Sequence, residues 1–337
     1  KIGNLRSVCR LNAAPGSKQG RRCQKDQTPL LPSLPIPKHL TVPQIFGSIQ
    51  SICRIFFKYA CEFSFPRLVL PLFRLYNKNY VKIYGRLPGK DLFMLRAILA
   101  LLFAILYLII GIPVLGIEWI ISKFNRKAAD ISQLRMVQWA FRVILFICGT
   151  KVTVIGEENV PKDEAVLYIG NHKSYFDIII TYARCPGLTG YVAKNDMAKV
   201  PLLSLWMKRL YCLFINRDDV KEALKTILAG IDHIKNGISM CIFPEGTRNK
   251  TDDLMLPFKE GSFKMAEKTG CAIVPMAITG SADILENHFP KVKATHVILE
   301  YGKPIYPNEL DKETKKKIGA HCQGIIEEML VKNEKLR

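Results

Sequence analysis

From Ala97 to Ile117 the chain reads AILALLFAILYLIIGIPVLGI, 21 residues without a charge. As a helix, a run of this length reaches about 30 Å, the thickness of a bilayer's hydrocarbon core. It exceeds the apolar region of a typical signal peptide, and no small-residue cleavage site follows it cleanly. Gly111, Pro113 and Gly116 weaken its second half, so a straight span, a kinked or re-entrant segment and a buried core helix all stay open. Lys123, Arg126 and Lys127 follow at once and favour a cytoplasmic C-terminal side, although Arg86, Lys90 and Arg96 precede the run and compete.

A second segment, QLRMVQWAFRVILFICG, sets Arg135, Gln138 and Arg142 at three- and four-residue steps on an otherwise apolar helix. A basic stripe of that kind suits a bilayer interface. Residues 94–150 are therefore expected to form a membrane-docking helical hairpin.

The net charge of +20 is unevenly spread. Residues 1–93 hold 16 Lys and Arg against 3 Asp and Glu, whereas the remaining 244 residues carry only +7. The extension is rich in Pro, Lys, Arg and Gln over its first 50 residues, and Pro66, Pro71 and Pro88 interrupt the rest. It reads as poorly ordered, or as no part of the natural chain, with Met94 as the expected start. A nucleic-acid binder would carry a basic surface on a recognisable module. No zinc-finger spacing, aromatic RNA-binding signature or long basic helix is present, so no nucleic-acid partner is expected. The ten cysteines are scattered without a CxxC pair, and several sit inside apolar runs, as small buried hydrophobes do in a reducing compartment. No metal site is expected.

From Lys151 onward the texture changes. KVTVIG, AVLYIG, LTGYVAK, YCLFIN, ISMCIF, AIVPMAI and THVILEYG read as strands, and amphipathic stretches such as DDVKEALKTILAGIDHIKNG and FKEGSFKMAEKTG lie between many of them. The alternation predicts an α/β domain over 151–337, a mixed, largely parallel sheet covered by helices. In such sheets the chemistry gathers at loops leaving the strand ends.

Two of those loops stand out. AVLYIGNHKSYFDIII is strand, turn, helix, with Ser174 as a helix cap. On one continuous helix His172 and Asp177 would diverge by roughly 140°. They meet only if His172 stands in the turn before the helix and folds back. Asp177 would then hold one ring nitrogen and leave the other basic. No GxSxG elbow supplies a nucleophile, so such a pair would activate a substrate hydroxyl; a structural His–Asp contact is the competing reading. The second loop is ISMCIFPEGTRNK, in which Gly246 allows close backbone approach and Arg248 offers a fork suited to phosphate. Arg217 ends the run YCLFINR, and the two arginines could converge on one anionic group.

NHKSYFD, IFPEGTR, the Phe258-Lys259-Gly261 element of LPFKEGSFKMA and the Pro275 strand AIVPMAI together resemble the glycerolipid acyltransferase superfamily. The order and spacing over residues 94–335 are most similar to bacterial 1-acyl-sn-glycerol-3-phosphate acyltransferases of the PlsC type. One departure is that Tyr211 and Asn216 stand where the family's second motif usually carries Gly and often Asp, while Arg217 is retained.

The resemblance implies that His172, oriented by Asp177, deprotonates the sn-2 hydroxyl of lysophosphatidic acid. The oxygen would then attack an acyl-carrier-protein or coenzyme A thioester, giving phosphatidic acid for phospholipid biosynthesis without an acyl-enzyme. It implies acceptor binding by Asn171, Arg217, Glu245, Gly246, Thr247, Arg248 and Lys259. No cofactor or metal is implied beyond the acyl thioester as co-substrate, and the enzyme would lie at the cell membrane, its catalytic domain on the cytoplasmic side. Two other readings remain: the same chemistry on another lysophospholipid, glycerol 3-phosphate or a lyso-ornithine lipid, and a non-catalytic basic membrane-binding protein.

Overall fold

The computed structural model describes residues 89–337; the extension up to residue 88, and the expectation of poor order made for it, lie outside the described residues. Helix α1 (Gly89–Phe124) begins before the expected Met94 boundary and runs unbroken through Pro113. Asn125 alone separates it from α2 (Arg126–Cys148), and its side chain accepts from the Ala128 backbone N–H as an N-cap. The two helices pack along one another as the expected hairpin, and both are long and apolar enough to cross a membrane by length and composition. The outward face of α1, with Leu101, Ile105, Ile109, Ile112, Trp119, Ile120 and Phe124, stays exposed.

Seven strands follow: β1 (Lys151–Ile155), β2 (Leu167–Gly170), β3 (Thr189–Lys194), β4 (Leu213–Ile215), β5 (Ser239–Ile242), β6 (Ile273–Thr279) and β7 (His296–Tyr301). They form one sheet in the order β1-β7-β6-β2-β5-β3-β4. Every pairing is parallel except β6 with β7, so β1 and β7 run against the other five. Each strand falls on one of the apolar runs read from the sequence.

Side chains alternate between two cores, as the two-residue period of a strand demands. Tyr168, Val274 and Met276 face the layer of α2, α3 (Phe176–Tyr182) and α4 (Pro201–Arg209). Leu167, Ile169, Met240 and Ile273 face the opposite layer of α5 (Val220–Lys235), α6 (Lys264–Thr269) and α8 (Ile318–Glu334), which follows the short α7 (Lys312–Lys316). Pro275 sits inside the sheet without disrupting it: its carbonyl accepts from Gly302 just where β7 has ended and the chain bends toward Ile305.

Three contacts fix the hairpin to the α/β domain. Gly111 is one: a Cβ there would stand 2.7 Å from the Trp206 ring of α4, so the glycine that weakens the helix is the seat for that indole. Tyr211 is the second. It adopts φ +59°, a left-handed backbone that favours glycine, and its hydroxyl donates to Asp130 and accepts from Arg126 Nε, both on α2.

The third comes from the stripe of Arg135, Gln138 and Arg142. Gln138 is fully buried, and its Nε2 donates to the carbonyls of Tyr182 (3.3 Å) and Cys185 (2.7 Å); Arg142 donates to Ala183 O (3.1 Å) and Arg135 to Gln138 Oε1. Gln138 and Arg142 therefore hold the C-terminal end of α3, where the helix carbonyls carry the negative end of the dipole, while Arg135 and Arg142 both remain exposed. Gln138→Ala is expected to lower stability by about 1–3 kcal/mol in a denaturant titration, because it removes the donor to two buried carbonyls. An unchanged midpoint would show that those carbonyls do not depend on the amide.

Candidate active site

β2 and β5 are neighbours, so the loops leaving their C-terminal ends meet. The first loop carries Asn171 and His172. Asn171 is buried, its Oδ1 accepting from Ile278 N and its Nδ2 donating to Ile278 O, which ties the end of β2 to β6. His172 stands in the turn before α3, as the helix geometry required. Its Nδ1 lies 2.9 Å from Asp177 Oδ2, and the same oxygen accepts the backbone N–H groups of Lys173 (2.8 Å) and Ser174 (2.7 Å). A carboxylate oxygen only accepts, so the ring nitrogen facing it carries the proton and Nε2 is left as the basic one. Asp177 is fully buried, while the His172 side chain keeps 14% of its surface accessible. Ser174, expected as the helix cap, stands one residue before the N-cap Tyr175, and its hydroxyl accepts from Phe176 N.

The second loop supports the first from below. Phe243 stacks on the imidazole with ring centroids 4.3 Å apart and an interplanar angle of 16°. Hydrogen bond and stack together fix the ring both in its plane and in its tilt. Glu245 is buried. Its Oε1 accepts from His172 N (2.6 Å) and its Oε2 from Leu256 N (2.8 Å). Burial pushes its carboxyl above the usual range, against the pull of those two amides.

Asn171 and Glu245, expected among the acceptor-binding residues, are both tied to the backbone around the pair. Their polar atoms serve the backbone, and they build the floor of the site.

Gly246 turns the chain with φ +77°, and a Cβ there would stand 2.9 Å from Lys259 Nζ. The ammonium of Lys259 therefore lies directly over the turn, a side chain at 246 would push it away, and the backbone N–H of Lys259 donates to Pro244 O (3.1 Å). Thr247 is exposed and Arg248 half-buried. Arg248 lies 3.7 Å over the Tyr175 ring, donates to the Tyr175 hydroxyl (3.0 Å) and to Glu286 Oε1 (3.3 Å). Two cations thus flank the turn beside His172. Arg217 is exposed at the same sheet edge but two strands from β5, roughly 10 Å across the sheet.

Sequence reasoning missed Phe243 as the stacking partner and Glu286 altogether. The phenylalanine was in view within FPEGTR, but its target depends on β2 and β5 being adjacent. Among the described residues no cluster of His, Cys, Asp and Glu has metal-binding geometry, and all six cysteines there are free and buried.

A His–Asp pair in the β2 loop, stacked on a phenylalanine at the end of β5 and flanked by an arginine turn, gives the comparisons a geometric meaning. The sequence profile of the family described as Acyltransferase matches residues 151–279, the span from β1 to β6. The 1-acyl-sn-glycerol-3-phosphate acyltransferase of Saccharomyces cerevisiae is 30% identical over 207 residues, covering 59% of this chain and 67% of that protein. The chain belongs to the acyltransferase family.

The enzyme of the same name from Borreliella burgdorferi is 33% identical over 174 residues, 51% of this chain and 65% of that one. The chain spans about two thirds of the length of these two relatives. The crystal structure of the 1-acyl-sn-glycerophosphate (LPA) acyltransferase PlsC from Thermotoga maritima superposes with a TM-score of 0.61 at 21% identity, over 73% of this chain and 98% of that one, a likeness of fold. In this acyltransferase the floor of the site carries a measurable load. Glu245→Ala would strand two backbone N–H groups, and a fall in stability of about 2–4 kcal/mol is expected in a denaturant titration. An unchanged midpoint would show that neither amide depends on the carboxylate.

Proposed function

We propose that this acyltransferase moves a fatty acyl group from a thioester, carried by acyl-carrier protein or coenzyme A, to the sn-2 hydroxyl of lysophosphatidic acid, giving phosphatidic acid. The observation that carries the reading is the His172–Asp177 pair, with Nδ1 held at 2.9 Å and Nε2 basic, beside the Arg248–Lys259 turn. His172 Nε2 takes the proton of the acceptor hydroxyl as the oxygen attacks the thioester carbonyl. Asp177 keeps the tautomer and stabilises the imidazolium that forms. When the tetrahedral intermediate collapses, the C–S bond breaks, the ester remains, and the imidazolium returns its proton to the departing thiolate.

A direct transfer fits the surroundings of the ring. The nearest serine in sequence, Ser174, donates its hydroxyl to Glu286, so it offers His172 no nucleophile. Arg248 and Lys259 supply the positive charge for the acceptor's phosphate, with Thr247 at the rim and Arg217 guarding the outer end of the same edge. Both acyl chains are insoluble in water. The apolar outer face of α1 supports docking of the hairpin 94–150 at a phospholipid membrane beside the catalytic domain, residues 151–337, and Lys123, Arg126 and Lys127 after the apolar run support a cytoplasmic side for that domain.

His172→Ala is expected to abolish thiol release and phosphatidic acid formation while leaving the melting temperature near wild type; wild-type-like turnover would rule out the mechanism. Arg248→Ala is expected to raise the acceptor KM about tenfold or more, the effect of removing one charge-assisted contact. Assays over lysophosphatidic acid, other lysophospholipids, glycerol 3-phosphate and a phosphate-free lyso-lipid decide the acceptor. Equal use of the phosphate-free lipid would contradict the arginine's role.

A further inference from the structure

Arg248 is not a loose loop charge. Tyr175 and Glu286, which come from two different segments, hold its guanidinium from two directions. Tyr175 lies in the loop entering α3; Glu286 lies in the connection between β6 and β7, more than a hundred residues away in sequence. The Tyr175 ring lies 3.7 Å below the guanidinium carbon and fixes its plane. The Tyr175 hydroxyl accepts from Nη2 at 3.0 Å and Glu286 Oε1 accepts from Nη1 at 3.3 Å, fixing rotation within that plane. A guanidinium has five N–H donors in a rigid fork. Those two bonds use one on each terminal nitrogen, which leaves three for an anion.

Glu286 also reaches the helix that carries Asp177. Its Oε2 accepts from the Ser174 hydroxyl (2.6 Å) and its Oε1 from the Tyr175 N–H (2.8 Å). Ser174 N in turn donates to the oxygen of Asp177 that holds His172. One partly buried carboxylate thus anchors both the cationic group and the start of the catalytic helix.

We propose that Glu286 and Tyr175 form a cradle that pre-orients Arg248 toward the phosphate of the acceptor and sets its distance from His172. The proposal rests on the acceptor reading given above, and it makes Glu286 and Tyr175 positioning residues. A long arginine side chain otherwise samples many rotamers, and ordering it on binding weakens the complex. The cradle removes that loss before the acceptor arrives.

The test is a set of steady-state measurements, varying lysophosphatidic acid and acyl thioester in turn, on the full chain. The variants are Tyr175→Phe, Glu286→Gln and Arg248→Ala, together with Tyr175→Phe/Arg248→Ala and Glu286→Gln/Arg248→Ala. Tyr175→Phe keeps the ring and loses only the hydroxyl; Glu286→Gln keeps the shape and an acceptor for Ser174. Tyr175→Phe and Glu286→Gln are each expected to raise the acceptor KM about threefold to tenfold, the worth of one polar contact, with the thioester KM within about twofold of wild type. In the Arg248→Ala background neither should raise the acceptor KM further, because residues acting through one group are not additive. Full additivity in that background would overturn the cradle, as would an unchanged acceptor KM in the single variants, or a fall in melting temperature and kcat alone. A wild-type protein that acylates no phosphate-bearing acceptor would overturn the functional reading and the cradle with it. An active wild type with additive variants overturns the cradle alone.

Discussion

One carboxylate oxygen organises the candidate site. Asp177 Oδ2, itself buried, accepts from the imidazole of His172 and from two successive backbone N–H groups. Those amides belong to the turn that brings the histidine back over the first turn of α3. The side chain that orients the base therefore also folds the loop that delivers it. Three donors converging on one buried oxygen hold the carboxylate in a single orientation against the ring.

The surroundings prevent that arrangement from relaxing. Asn171 bonds both polar atoms to Ile278 and fixes the end of β2, Glu245 pulls the His172 backbone toward β5, and Phe243 lies flat against the ring. All of this depends on β2 lying between β5 and β6 in the middle of the sheet. On the far side of α3, Gln138 and Arg142 bind the carbonyls at the helix end, so the apolar hairpin holds the helix that carries Asp177 from behind.

Much of the fold was legible in the sequence. The seven strands were visible because each reads as a short apolar run between turn residues, the central ones β2, β5 and β6 being buried along their whole length. The His–Asp pairing was legible because a five-residue interval on a helix admits only one geometry for contact. What failed to show was the direction of polar side chains whose partners are distant in the chain. Asn171 and Glu245 sit among motif residues, and nothing local shows that their protein partners are backbone groups of β6 and of the loops holding His172 and Leu256. Gln138 shares a helical stripe with Arg135 and Arg142, and a helical wheel carries no record of the end of α3 that its amide meets. Glu286 had no local signal: it is one acidic residue in a loop whose position follows only from the antiparallel return of β7. Tyr211 showed as a departure from the family pattern, and its left-handed backbone explains why glycine is favoured there. Its grip on Asp130 and Arg126 is a feature of the tertiary structure alone.

The central claim is that Asp177 makes His172 a base by fixing its tautomer, beyond merely capping a helix. The most direct measurement is kcat of Asp177→Asn, determined on protein whose melting temperature shows it folded. An asparagine can present its N–H to the ring and invert the tautomer, so kcat should fall by roughly a thousandfold or more while the acceptor KM changes little. A folded Asp177→Asn protein that turns over at the wild-type rate would contradict the account.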